Sequence, residues 1–74
     1  MEQQLTPMHQ VYHSSGEILF CQKSISKAQE EINLNAGKTQ YIESREYAIK
    51  FWEEKIKLER IILAEAINQI SNAA

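Results

Sequence analysis

Aspartate is absent from this sequence, in which all ten acidic residues among 74 are glutamate. Compact magnesium sites and histidines oriented by a carboxylate commonly use aspartate, so its absence argues against both kinds of catalytic centre. The single cysteine, Cys21, excludes an internal disulfide. The core of so short a chain supplies only about 3–5 kcal/mol of net stability, so we expect a metal or a partner chain to add to it.

Positive and negative charges are nearly balanced along the chain. Residues 1–40 carry three basic and four acidic side chains, residues 41–74 carry five and six, and the net charge is −2. No basic face indicates nucleic acid, and no run of about 18 apolar residues predicts a membrane span. Residues 1–4 lack the basic start and apolar core of a signal peptide, which together with the free thiol predicts a cytoplasmic protein.

The N-terminal part of the sequence is compatible with two folds. We expect residues 1–8, which contain the only proline, to form a flexible arm before one small domain over 9–74. Val11-Tyr12 and the run 18–21 favour strands, and Ser14-Ser15-Gly16 suits the turn between them. A helix fits the same residues, because residues 14–17 form a capping box that could start it. Apolar side chains also share one helical face: Ile18, Cys21, Ile25, Ala28 and Ile32.

A second helix-start signal decides between these folds. Residues 26–29 form a capping box followed by good helix formers, whereas residues 18–21 are poor ones. We therefore predict a β-hairpin at 9–23, a short helix at 25–35 and a long C-terminal helix at 39–71. The predicted class is α+β and mostly helical, with an all-α helical hairpin as the alternative, and residues 17–23 remain open to both.

The strongest periodicity lies in the long C-terminal helix, where isoleucine or leucine recurs every seventh residue. A short helix and a hairpin would cover only part of this helix, so the pattern predicts a coiled-coil homo-oligomer. Arg45 and Glu59 fall on half-heptad positions, either as an interchain ion pair or at the edge of the interface. The predicted interface between copies comprises Ile42, Ile49, Trp52, Ile56, Leu63, Ala66 and Ile70.

A second side of the same helix is also apolar, which supports the second copy, and its aromatic residues predict a contact with a different protein. Phe51, Leu58, Ile61 and Ile62 lie off the heptad stripe. Exposed aromatic side chains with an arginine nearby are typical of protein-binding hot spots. The predicted partner-binding residues are Tyr47, Phe51, Arg45 and Leu58.

Gly37-Lys38-Thr39 matches the end of a phosphate-binding loop. The first glycine of that motif would fall on Ile32, and a helix rather than a strand precedes it. The stretch predicts instead a turn that ends one helix at glycine, with Thr39 capping the next.

The candidate metal ligands in this sequence are His9, His13 and Cys21. The only candidate catalytic group is Cys21 with His9 as its base. On a strand the two histidines would stand roughly 13 Å apart, too far for one zinc ion, and His9 with Cys21 leaves two ligands. A Cys21 nucleophile with His9 as base lacks an orienting group and an oxyanion site. We therefore predict no metal, no cofactor and no catalysis.

The motifs SRE at 44–46, KLE at 57–59 and AI at 66–67 resemble the second helix of small bacteriophage hairpin proteins that sequester cyclic-nucleotide immune signals. Those proteins also place a tyrosine before the first helix, as Tyr12 is placed in the predicted fold. The resemblance implies an oligomeric sponge for a cyclic nucleotide or similar signal. It implies Tyr12, Lys27 and Arg45 as the contacts to phosphate and base.

The residues themselves favour a different function. They predict a small binding protein that is not an enzyme, acts as a homo-oligomer and docks on a larger host protein to inhibit or adapt it. Its expected partners are its own copies and that protein, with no membrane and no nucleic acid. A chain of this size without a catalytic motif is typical of proteins encoded by phages and plasmids, so we expect such an origin.

Overall fold

The computed structural model describes residues 6–73, and within them it contains two α-helices and no strand. Helix α1 spans Pro7–Leu34 and helix α2 spans Thr39–Ala73. The two helices lie side by side in a flat hairpin of 55 × 27 × 14 Å. The predicted β-hairpin at 9–23 is therefore wrong, and the all-α helical hairpin is the observed fold. Neither helix has an apolar stretch long enough to cross a membrane.

Helix α1 begins within the segment that was predicted to be an arm, of which residues 1–5 lie outside the described range. Thr6 caps it by accepting a hydrogen bond from the His9 backbone N–H at 3.2 Å, and Pro7 occupies the first helical position. The capping boxes at 14–17 and 26–29 lie inside α1. The strand propensity of residues 11–12 and 18–21 is overridden because a continuous helix of 28 residues accompanies most of α2, which has 35.

The seam between the helices is built from small residues on α1. Ser14, Cys21 and Ala28 recur every seventh residue, and none is more than 2% exposed. Contacts between Glu17 and Lys55, and between Glu31 and Tyr41, set the register and bring Cys21 level with Trp52. Small side chains of α1 thus lie opposite larger side chains of α2, as Cys21 does opposite Trp52. Removal from water at this seam raises the pKa of the Cys21 thiol.

The connection between the helices is a four-residue turn at 35–38. The Asn35 backbone N–H bonds to the carbonyls of Glu31 and Ile32, and its side-chain Nδ2 donates to the Glu31 carbonyl at 2.7 Å. Gly37 lies in the turn, two residues after the C-cap Asn35, and its φ of +92° is in the left-handed region that glycine adopts without strain. Thr39 is the first residue of α2 rather than its cap.

Two glycine-to-alanine substitutions should change stability in opposite directions. Gly16 lies inside α1 with no atom within 4 Å of an added Cβ, so Gly16→Ala should raise the free energy of unfolding by about 0.5–1 kcal/mol. Gly37→Ala forces an L side chain into the left-handed region and should lower it by about 1–2 kcal/mol. Urea denaturation of both variants measures the changes, and shifts of the same sign would contradict this account.

Candidate interaction site

One side of the seam is polar and fixes how the helices align. Lys55 Nζ lies 3.0 Å from Glu17 Oε2, and the Tyr41 hydroxyl donates to Glu31 Oε2 at 2.6 Å. Arg45 lies 3.8 Å from the same Glu31 oxygen and 5.8 Å from the Tyr41 ring centre. The hydrogen bond to Glu17 raises the pKa of Lys55, and the bond to Glu31 raises the pKa of Tyr41. We call this side the polar face.

The opposite side of the seam is aliphatic throughout. Helical geometry places four residues of α1 on this side: Val11, Ile18, Ile25 and Ile32. Each directly follows a residue on the polar side, namely Gln10, Glu17, Ser24 or Glu31. The heptad isoleucines of α2 lie beside them, and all are half-buried except Ile56, which is 8% exposed. The predicted interface residues Trp52 and Ala66 lie instead at the seam. We call this set the aliphatic face: Val11, Ile18, Ile25, Ile32, Ile42, Ile49, Ile56, Leu63 and Ile70.

Away from α1, helix α2 carries an exposed apolar stripe. Tyr47 is 79% exposed, Phe51 62%, Leu58 61% and Ile61 57%, and their spacing of four, seven and three residues keeps them on one side of the helix. We call these four the outer stripe. Three of the predicted partner-binding residues lie on it, whereas Arg45 turns towards Glu31.

A pocket opens between the outer stripe and the polar face. It has a volume of about 430 Å³ and is lined by Phe51, Glu54, Lys55, Leu58 and Glu59. Glu59 is only 9% exposed, and its Oε2 has no hydrogen-bond partner. The buried Ser14 hydroxyl, in contrast, accepts a bond from Gln10 at 2.8 Å. The sequence marked Glu59 as a polar half-heptad residue but gave no sign of this Glu59 pocket.

The candidate metal ligands are separated by the fold. His9 and His13 are exposed one turn apart on α1, which brings them nearer to each other than a strand would. Cys21 is sealed in the seam at 0% exposure. Over residues 6–73 no three histidine, cysteine or glutamate side chains are grouped closely enough to hold a metal ion.

The three residues implied by the phage-protein resemblance do not form one site. Tyr12 lies inside α1 rather than before it, and it is 75% exposed. It stands about 22 Å along α1 from Lys27, at 1.5 Å per residue. Lys27 is level with Arg45 across the seam, so a pocket using all three residues needs two copies of the chain.

Comparison with known proteins gave no match: no family model, no curated protein and no solved structure is detectably similar to this chain.

Proposed function

We propose that the chain is a small non-catalytic binding protein that associates with its own copies through the aliphatic face. In that state it docks on a larger protein through the outer stripe and inhibits or adapts that protein. The observation that carries this proposal is the distribution of apolar side chains. Of the described residues, eleven large hydrophobic ones are exposed, whereas four hydrophobic ones are buried, namely Cys21, Ala28, Ile56 and Ala66.

The area of the hairpin agrees with this interpretation. Its accessible surface is 6029 Å². A folded monomer of this mass exposes about 4,700 Å², so the excess is roughly 1,300 Å². A standard interface buries about 800 Å² on each partner. The radius of gyration, 16.4 Å, is likewise larger than the about 11 Å of a compact chain of this length.

The aliphatic face is the better surface for self-association. Two hairpins stacked through it form a four-helix bundle with a continuous aliphatic core, in which no charged side chain has to be buried. Helix α2 is not left uncovered by a short helix, as the sequence predicted, because α1 accompanies most of it. The open aliphatic face now supplies the reason for a second copy.

Tyr47→Ala combined with Phe51→Ala should abolish capture of the larger protein while leaving the fold and the solution mass unchanged. Both side chains are more than half exposed, so their loss removes contact area rather than core. The measurement is pull-down from host lysate beside light scattering and thermal unfolding. The matched control is Tyr12→Ala with Phe20→Ala on α1, which should keep the partner. Unchanged capture by the α2 double variant would show that the outer stripe is not the contact.

One observation favours the second candidate, an oligomeric sponge for a cyclic nucleotide or similar small signal. The Nε of Arg45 is buried without a hydrogen-bond partner, and Lys27 is level with it. Guanidinium and ammonium groups together suit a phosphate. A cyclic dinucleotide would raise the unfolding temperature under this function and leave it unchanged under the first.

A further inference from the structure

We infer that the Glu59 pocket receives an arginine or lysine side chain from the larger protein that docks on the outer stripe. This inference rests on the proposed function and names the chemistry of its partner. The pocket opens between Phe51 and Leu58, so a helix or loop lying along the outer stripe would pass directly over it.

Glu59 lines the pocket, and its buried Oε2 is an acceptor without a donor in the hairpin. A buried carboxylate oxygen without a donor is unfavourable, and native proteins rarely leave one unless a water, an ion, a ligand or a partner supplies the donor. Lys55, one helical turn before Glu59 on α2, is engaged by Glu17 at 3.0 Å. Arg45 of the same chain lies fourteen residues from Glu59, or about 21 Å along α2, and cannot reach it.

The walls of the pocket fit the stem of a long basic side chain. Phe51 and Leu58 offer apolar surface for its methylene groups, and the Phe51 ring also attracts a cation electrostatically. Glu54 adds a second carboxylate at the rim. Because Glu17 offsets the charge of Lys55, the remaining charge around the pocket is negative and complements a guanidinium or ammonium group.

Two probes of equal shape test this inference, n-butylguanidinium and the neutral n-butylurea. Each is titrated into the full chain while amide resonances of residues 51–59 are followed by NMR. The guanidinium should give saturable shifts there and the urea none. Glu59→Gln should weaken guanidinium binding by about tenfold or more, because a hydrogen bond to a charged group is lost. Glu53→Gln, an exposed site outside the pocket, should bind as wild type does.

Equal shifts from the two probes, or unchanged binding by Glu59→Gln, would overturn the inference. Partner capture separates this failure from that of the proposed function. If Tyr47→Ala with Phe51→Ala loses the partner while Glu59→Gln keeps it, the outer stripe is the docking surface. The inference that a basic side chain of the partner enters the Glu59 pocket is then wrong. If Glu59→Gln and Arg45→Ala both lower the solution mass, Arg45 of a second copy occupies the pocket and the inference is wrong.

Discussion

Under the proposed self-association through the aliphatic face, Ile18→Glu is expected to give a monomer. Ile18 is half-buried on the aliphatic face, so a second copy would enclose the new carboxylate in an apolar core without a partner. Losing the burial of one isoleucine removes about 1.5–3 kcal/mol, and the charge adds to this in both copies. The dissociation constant should therefore rise roughly a hundredfold or more. Light scattering over a dilution series measures it.

The neighbouring position provides the matched control for this substitution. Leu19 is 52% exposed on the outer side of α1, so Leu19→Glu introduces the same charge without touching the aliphatic face. Its solution mass should equal that of the wild-type protein at every concentration. Circular dichroism should show that both variants remain helical. If Ile18→Glu associates as tightly as Leu19→Glu, self-association does not use the aliphatic face.

Glu59→Leu is expected to stabilise the hairpin and to remove partner binding at the same time. The substitution replaces a carboxylate whose buried Oε2 lacks a donor with an apolar side chain of similar size. Such exchanges remove the desolvation penalty and should raise the free energy of unfolding by about 1–3 kcal/mol. Urea denaturation at one fixed protein concentration measures the gain, because association also contributes to apparent stability.

The control for this second substitution is Glu54→Leu. The Glu54 side chain is 74% exposed, so its exchange should change stability by no more than about 0.5 kcal/mol. A stability loss in Glu59→Leu would show that the hairpin itself satisfies the carboxylate, and the unused acceptor in the pocket would then have no energetic basis. If Glu59→Leu raises the free energy of unfolding and still captures the partner, Glu59 affects the stability of the hairpin but not partner binding.

The long helix could be predicted from the sequence because the pattern that indicates it lies within the helix itself. Five heptad positions without glycine or proline predict residues 39–71 as a helix, and Thr39–Ala73 is one. Gly37 predicted the turn for the same reason. Residues 9–23 were mispredicted because their local propensity opposes their structure. What makes them helical is a cap at Thr6 and the presence of α2 across the seam, and that second cause is not local.

The candidate site was likewise predictable only in part from the sequence. The exposure of Tyr47, Phe51 and Leu58 follows from their positions on one helix, and the sequence predicted it. The Glu59 pocket depends on a pairing between helices, since Lys55 would be free to meet Glu59 if Glu17 did not hold it. No pattern within α2 contains that information. The aliphatic face likewise exists only because α1 adds its own aliphatic residues beside those of α2.

The row of small residues along α1 has a consequence for how the hairpin keeps its alignment. Ser14, Cys21 and Ala28 present nearly the same shape at every heptad, so a slip of seven residues would meet similar surfaces. Steric fit therefore does not distinguish one alignment from the next. That distinction comes from the Glu17–Lys55 and Glu31–Tyr41 contacts and from the short turn. The Glu17–Lys55 contact is an ion pair near the surface, so added salt screens it and weakens the discrimination between alignments, while the apolar attraction between the helices persists.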